Sequence, residues 1–368
     1  MKYYAKNRYF QNEINKYFKK HKWKFEENNK YYQDIDYFNK NKCKSCKIVS
    51  QIKNINYLGN KKLQYQSLIT FLKERPKYLP ETIPFSVKNY KKLHNLFNNN
   101  KLWIIKPEND SFRNGVKIIN AYNQLEPWIN KYKYKNWIIQ NFIDNPLLYN
   151  NHKFHLRIYA IIINSKKSYK VFAYKNGFIY LASHLYNNND LLDLKSNLTG
   201  EGSKEQVKLF PQDFINKFKK NKYIQIKNQI NKIIYDSTMS VKNKLNCYNK
   251  TVDSKCYKLI GYDILIDNKY NAHLLEINTR LITFKYPPNY FKQNMYNNIL
   301  DLVLFNKKNN FTQIANINYA NLNENMKSMF IVKEGFSEEF YKCYSCLINA
   351  IILILIIFIF NYIKNLYL

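Results

Sequence analysis

Gly261-Tyr-Asp263-Ile-Leu-Ile266 followed by Leu274-Leu-Glu276-Ile-Asn278-Thr279 decides the fold. Both runs are apolar, and Asp267-Asn268-Lys269 between them is a turn-type cluster. Two such runs about a polar turn read as a β-hairpin. Side chains alternate along a strand, so Glu276 and Asn278 point to one face, and Asp263 on the partner strand lies opposite them. Three oxygen-bearing side chains then meet on one patch of an apolar sheet. A few hard oxygen ligands, with room for phosphate oxygens and water, suit Mg²⁺ carried in by a nucleotide. A hairpin with a solvated outer face also places polar residues at alternating positions, so these residues alone leave both readings open.

Three further segments bear on the choice. Trp103-Ile-Ile-Lys106-Pro107, a polar loop containing Gly115, and Val116-Lys117-Ile118 read as a hairpin able to lie over a triphosphate, with backbone N–H groups and Lys106 binding the charge. Trp137-Ile-Ile-Gln140-Asn-Phe142-Ile143 is a strand that mixes apolar and hydrogen-bonding groups, as an adenine slot requires. Lys153-Phe-His155-Leu-Arg157 alternates basic and apolar residues before Ile-Tyr-Ala-Ile-Ile-Ile. Its three basic groups share a face suited to carboxylate or phosphate.

In this order along one chain, the segments resemble the tubulin-tyrosine ligase family, tubulin amino-acid ligases and polyglutamylases built on an ATP-grasp fold. The matches are Trp103 to Pro107, Gln140 to Leu148, Lys153 to Tyr159, Val171 to Gly177, and Gly261 to Thr279. Ile55-Asn-Tyr57 and Tyr78-Leu-Pro80-Glu-Thr82-Ile-Pro84 look like the entry into the central domain. The resemblance covers roughly residues 50 to 305. It implies an α+β chain with α/β character in ATP-grasp architecture, with an N-terminal domain over 1–80, a central domain over 81–160 and a C-terminal domain over 161–305. It implies ATP and Mg²⁺ as cofactors. Lys106, Gly115, Gln140, Phe142 and Ile143 would hold the nucleotide, and Asp263, Glu276 and Asn278 the metal. Lys153 and Arg157 would face the reacting carboxylates and, with Glu276, form the catalytic set.

The activity implied is ATP-dependent addition of an amino acid to the carboxylates of tubulin's acidic C-terminal tails through an acylphosphate. Glutamate is the first choice of donor, ahead of tyrosine and glycine. Several positions depart from the family pattern. Phe112-Arg113-Asn114-Gly115 has one glycine fewer than the family loop, and Asn141 replaces a lysine. His155 replaces an aspartate and Tyr180 an arginine, and Asn197-Leu198-Thr199-Gly200 matches the family's His-Leu-Thr-Asn only in part. A second reading of the same residues is a catalytically impaired pseudo-ligase that binds microtubules and tethers them to a membrane.

Composition sets the remaining bounds. At 368 residues the chain has length for two to three domains, and 34 tyrosines with 24 phenylalanines make it a core-forming sequence. Fifty-nine Lys+Arg against 26 Asp+Glu give +33, a charge that attracts acidic polypeptides such as tubulin tails and microtubules. Nucleic acid is disfavoured, because no helix-turn-helix or zinc-finger spacing accompanies the charge. Six cysteines do not make a disulfide framework in a chain of this length. Cys43-Lys-Ser-Cys46 and Cys343-Tyr-Ser-Cys346 have zinc-type spacing at opposite ends of the chain, while Cys247 and Cys256 read as unpaired thiols of a reducing compartment.

Ile226, Ile230, Ile233 and Ile234 fall at helical spacing, a core-facing stripe. Residues 306–346 read as a linker. Residues 347–362 are almost wholly apolar and approach the ~17 residues needed to span a thin bilayer. With no apolar leader after Met1, the expected setting is cytoplasmic and microtubule-associated, with 347–362 as a membrane tail anchor.

Overall fold

The computed structural model describes residues 1–6, 11–26, 32–35, 46–97, 101–109, 114–132, 134–200, 206–247, 254–280, 288–307 and 309–319. The N-terminal part contributes β1 (Lys2–Lys6), α1 (Gln11–Lys20), β2 (Lys24–Phe25), β3 (Tyr32–Ile35), β4 (Ile48–Val49) and β5 (Ile52–Lys53). Two helices follow, α2 (Asn56–Gly59) and α3 (Lys61–Leu72). The middle stretch supplies β6 (Thr82–Ser86), β7 (Trp103–Pro107), β8 (Lys117–Ile119), α4 (Leu125–Tyr132) and β9 (Asn136–Asn141). Next come β10 (Leu148–Tyr149), β11 (His152–Ser165), β12 (Ser168–Tyr174), β13 (Gly177–Leu181), α5 (Leu194–Asn197) and β14 (Val207–Phe210). The chain continues through α6 (Gln212–Phe218), α7 (Lys220–Ser240), β15 (Asn246–Cys247), β16 (Lys255–Ile266), β17 (Ala272–Asn278), α8 (Asn289–Phe305) and β18 (Phe311–Asn318).

The expected mixed α+β architecture is present. A four-stranded antiparallel sheet, β6-β9-β7-β8, forms around the Trp103 and Trp137 hairpins. A larger sheet runs β14-β13-β11-β16-β4-β3-β1-β2, with β17 paired to β16 and β12 to both β11 and β18. The residue-160 boundary expected from sequence falls inside β11, and β18 lies in the stretch expected as a linker.

Strand β11 is the spine. It pairs with β16 from His155↔Leu265 to Ser165↔Lys255, and on its other edge with β13 and then β12. Alternation divides its residues between two faces. One face continues from Arg157 through Tyr159 and Ile161 into a core with Phe172, Phe178 and Tyr257, covered by residues of α1 and α8 such as Phe18, Phe291 and Ile299. The opposite face carries Tyr262, whose hydroxyl bonds the Ser237 hydroxyl at 2.9 Å, and Tyr169, which donates to the Thr238 carbonyl at 2.9 Å. Helix α7 therefore lies on that side, and Ile226, Ile230, Ile233 and Ile234 are its buried stripe.

The hairpin of β16 and β17 closes as the turn cluster predicts. Asp267 Oδ1 accepts from the Lys269 and Asn271 amides at 2.9 and 2.8 Å. Asp263 pairs with Glu276 but Ile264 with Leu274, so Leu275 is an extra residue, a β-bulge. A one-residue bulge reverses the parity of the residues beyond it. It brings Glu276 and Asn278 to the Asp263 face and buries Ile277 on the other.

The cysteine reading needs correction. Cys247 and Cys256 form a disulfide with Cα atoms 5.5 Å apart. Pairing of β15 with β5 and of β16 with β4 carries the two residues to one spot, a proximity that sequence spacing does not reveal. Cys46 is disulfide-bonded as well. Cys43, Cys343 and Cys346 lie outside the described residues, and no cluster of three or more metal-ligating His, Cys, Asp or Glu occurs among those described. The apolar stretch 347–362 also lies outside them. No described helix is long and apolar enough to cross a membrane.

Gly177 fixes the register that places Arg157. A Cβ there would stand 2.3 Å from the Arg157 carbonyl oxygen, a backbone atom with no freedom to move aside. Gly177→Ala is expected to lower unfolding free energy by about 1–3 kcal/mol, the usual cost of overpacking. Urea denaturation measures it, and a loss below about 0.5 kcal/mol would contradict this role.

Candidate active site

The site forms where the small sheet meets the end of β11, β16 and β17. Asn278 Nδ2 donates to Asp263 Oδ2 and to Glu276 Oε1, both at 3.1 Å. The three predicted oxygen-bearing side chains thus converge. Arg157, directly opposite Asp263 on β11, donates through Nε to Oδ1 and through Nη2 to Oδ2 at 2.9 Å. Lys61 Nζ lies 3.6 Å from Glu276 Oε2. His155 bonds the Thr199 hydroxyl through Nδ1 and sets Nε2 3.5 Å from Asp263 Oδ1. Tyr180 stacks on His155 at 5.3 Å between centroids, and Arg157 lies 5.6 Å above the Tyr180 ring.

Lys106, on β7, is 9 % exposed and donates to Gln140 Oε1 at 2.9 Å. Gln140 in turn donates to Thr82 Oγ1 at 2.9 Å. The Gln140 amide thus links Lys106 to Thr82. Phe142 packs with Ile104, Ile118, Leu194 and Leu198 in an apolar cluster. Lys153 sits at this end, donating to the Ile143 carbonyl at 3.1 Å and to Asn197 Oδ1 at 3.3 Å, with its ammonium 3.9 Å from the Phe142 centroid. The expected place for Lys153 was beside reacting carboxylates; the start of β11 instead brings it against the chain leaving β9. Gly115 takes φ +73°, and a Cβ there would meet Pro107 at 2.9 Å. The rest of its loop, including Arg113, lies outside the described residues.

Lys61 is the residue that sequence reasoning missed. Asn60 caps α3 by accepting from the Leu63 amide at 2.8 Å, and its Nδ2 donates to the buried Glu108 at 2.8 Å. Gly59 lies against Thr279, at the end of β17, where a Cβ would stand 2.5 Å from the hydroxyl. These two contacts deliver Lys61 to Glu276. Asparagine is a favoured helix cap, but a cap alone does not tell which lysine it turns inward. Asn197 and Thr199 belong to the segment that matched its expected motif only partly, and both side chains reach the site.

Burial and charge act together here. Burial alone would raise the Glu276 pKa, but Lys61, Lys106, Arg157 and the Asn278 hydrogen bond pull it down to about 2. Burial lowers Lys106 to about 8, with Lys61 adding to it and Glu276 and Asp263 opposing. Burial also lowers Lys153 to about 7 against the pull of Asp144. Arg157 is raised because Asp263 outweighs its burial. Two carboxylates and one carboxamide on adjacent strands are the donor types that Mg²⁺ takes, and Asn278 would have to turn its oxygen, in place of Nδ2, toward the ion to serve as one.

The lysine shift has a measurable sign. Between the folded value of about 8 and the ordinary 10.5, Lys106 binds more protons unfolded than folded. It therefore makes stability rise with pH across that window, by up to about 1.4 kcal/mol per unit. Lys106→Met should remove this rise from denaturation curves taken between pH 8 and 10. An unchanged slope would contradict a buried, depressed Lys106.

A model of the "Tubulin-tyrosine ligase family" matches residues 37–310. Among relatives, tubulin glycylase 3B of Tetrahymena thermophila is 25 % identical over 201 residues, covering 50 % of this chain and 16 % of the relative. Human tubulin polyglutamylase TTLL7 is 25 % identical over 249 residues, 58 % and 27 % of the two chains. Mouse tubulin polyglutamylase TTLL6 is 27 % identical over 201 residues, 49 % and 24 %. The chain therefore spans at most about a quarter of the length of these relatives. The matched region takes in the small sheet, β11, β16, β17 and every site residue named above, and the chain belongs to the tubulin-tyrosine ligase family.

Proposed function

We propose that this chain is an ATP-dependent ligase that joins an amino acid, glutamate in the first instance, to carboxylates of acidic tubulin tails. The observation that carries the reading is the Asp263–Asn278–Glu276 trio ringed by Lys61, Lys106 and Arg157. The names of the relatives, tubulin polyglutamylases and a tubulin glycylase, support the acceptor. The net charge of +33 suits an acidic partner.

In the proposed reaction an acceptor carboxylate oxygen attacks the γ-phosphorus of ATP, giving an acylphosphate and ADP. The donor amine then attacks the acyl carbon, the carbon–oxygen bond to phosphate breaks, and an amide forms with loss of the amine's protons. Phe142 and its apolar neighbours offer the base a slot, and Lys153 and the Ile143 carbonyl offer it polar edges. Lys61 and Lys106 are cations placed for phosphate oxygens, already buried and oriented before the anion arrives. Mg²⁺ held by Asp263, Glu276 and Asn278 would neutralise charge on the transferring phosphoryl group.

Ligation tests the reading. The full chain with Mg-ATP and labelled glutamate should transfer label to tubulin tails, and Glu276→Gln should abolish transfer while far-UV circular dichroism stays unchanged. Full activity in Glu276→Gln would remove the trio from the mechanism. No transfer of glutamate, glycine or tyrosine by the wild-type chain would overturn the ligase reading.

A further inference from the structure

We infer that the Cys247–Cys256 disulfide is a thiol–disulfide exchange site whose partner is a dithiol reductant. The inference is independent of the proposed ligase reaction, because the bond lies at the opposite end of β16 from Asp263. Its first support is access. Cys256 is fully buried within β16, whereas Cys247 on β15 is partly exposed, so the bond is approached from the Cys247 side.

The second support is charge. Strand register gathers three segments around the bond: Asn164 pairs with Cys256, Ser165 with Lys255, Cys256 with Val49 and Cys247 with Ile52. Lys170 pairs with Ile163, one position further along β11. Residues 47–53, 164–170, 242–247 and 254–258 together hold nine lysines, and Asp253 precedes the last of these segments. Burial and the neighbouring Lys170 hold Lys255 below the ordinary lysine value, so the two like charges feel one another. Burial disfavours a thiolate at Cys256 and neighbouring cations favour it, so these lysines offset part of the cost of the leaving thiolate.

The third support is that the surrounding structure has its own fastenings. Asn164 Nδ2 donates to the Leu245 carbonyl at 3.1 Å and Asn54 Nδ2 to the Lys244 carbonyl at 3.0 Å. Lys255 N donates to the Lys47 carbonyl at 2.8 Å. Opening the disulfide therefore releases one covalent link without dismantling either strand.

The step balances without any further reactant. A thiolate of the dithiol attacks Sγ of Cys247, the bond to Cys256 breaks, and its electron pair leaves as the Cys256 thiolate. The second thiol of the reductant, deprotonated, attacks the mixed disulfide and expels the Cys247 thiolate. Two electrons pass to the protein, and the reductant leaves as its own disulfide.

The test uses the folded full chain and dithiothreitol. After treatment under native conditions the dithiothreitol is removed in acid, the chain is unfolded, free thiols are blocked with N-ethylmaleimide, and the peptides containing residues 247 and 256 are weighed. Neither cysteine should be labelled in the oxidised chain, and both should be labelled after native reduction. Exchange into oxidised dithiothreitol should restore the unlabelled form, with far-UV circular dichroism constant throughout. Lys255→Gln should slow the reduction. The proposal is overturned if the bond opens only after denaturant is added, if it fails to reform, or if Lys255→Gln reduces at the wild-type rate.

Discussion

The Arg157–Asp263 pair is the constraint on which the rest of the site depends. The two residues face each other across β11 and β16, and both guanidinium bonds go to one carboxylate. Each group is nearly sequestered from water, with side-chain exposures of 14 % and 8 %. A buried charge that loses its partner costs about 3–5 kcal/mol, so the pair locks the register of the two longest strands. That register decides where everything else falls. Gly177 exists as glycine because β13 crosses the Arg157 carbonyl, and Tyr180 stacks over the side chains of β11 that point to the same face.

The charge balance then follows from position. Lys61, Lys106 and Arg157 surround Asp263 and Glu276, which leaves the cluster one positive charge in excess with all five groups ionised. Burial is the first cause of the lowered Lys106 value, and Lys61 adds to it against the pull of Glu276 and Asp263. An arriving anion would offset the excess charge. In the proposed reaction the site would be organised for phosphate before phosphate is present, which is how preorganised electrostatics contribute to catalysis.

Much of this was legible in sequence, and the parts that were not have physical reasons. The Gly261–Thr279 hairpin, the Trp103 and Trp137 strands and the isoleucine stripe of α7 are local patterns, and each appears where periodicity puts it. Convergence of Asp263, Glu276 and Asn278 was foreseen, but the bulge at Leu275 that produces it was not. Strict alternation would have put Glu276 on the face opposite Asp263. Lys61 was invisible because it is 215 positions from Glu276 and reaches it only through tertiary packing. The Cys247–Cys256 bond was misread for the same reason: spacing carries no record of strand pairing. Gln140, which the family resemblance puts at the base, also links Lys106 to Thr82, a connection that spacing does not show.

The central claim is that these cations await a metal-bound nucleotide. Calorimetric titration of the full chain with Mg-ATP at pH 8, repeated in buffers of different ionisation enthalpy, tests it most directly. Lys106, near 8 in the free chain, is about half protonated there, and a phosphate beside it would raise its pKa. Binding should therefore draw a fraction of a proton from the buffer onto Lys106, an uptake that Lys106→Met lacks. Binding without proton uptake, or no binding at millimolar Mg-ATP, would contradict the account.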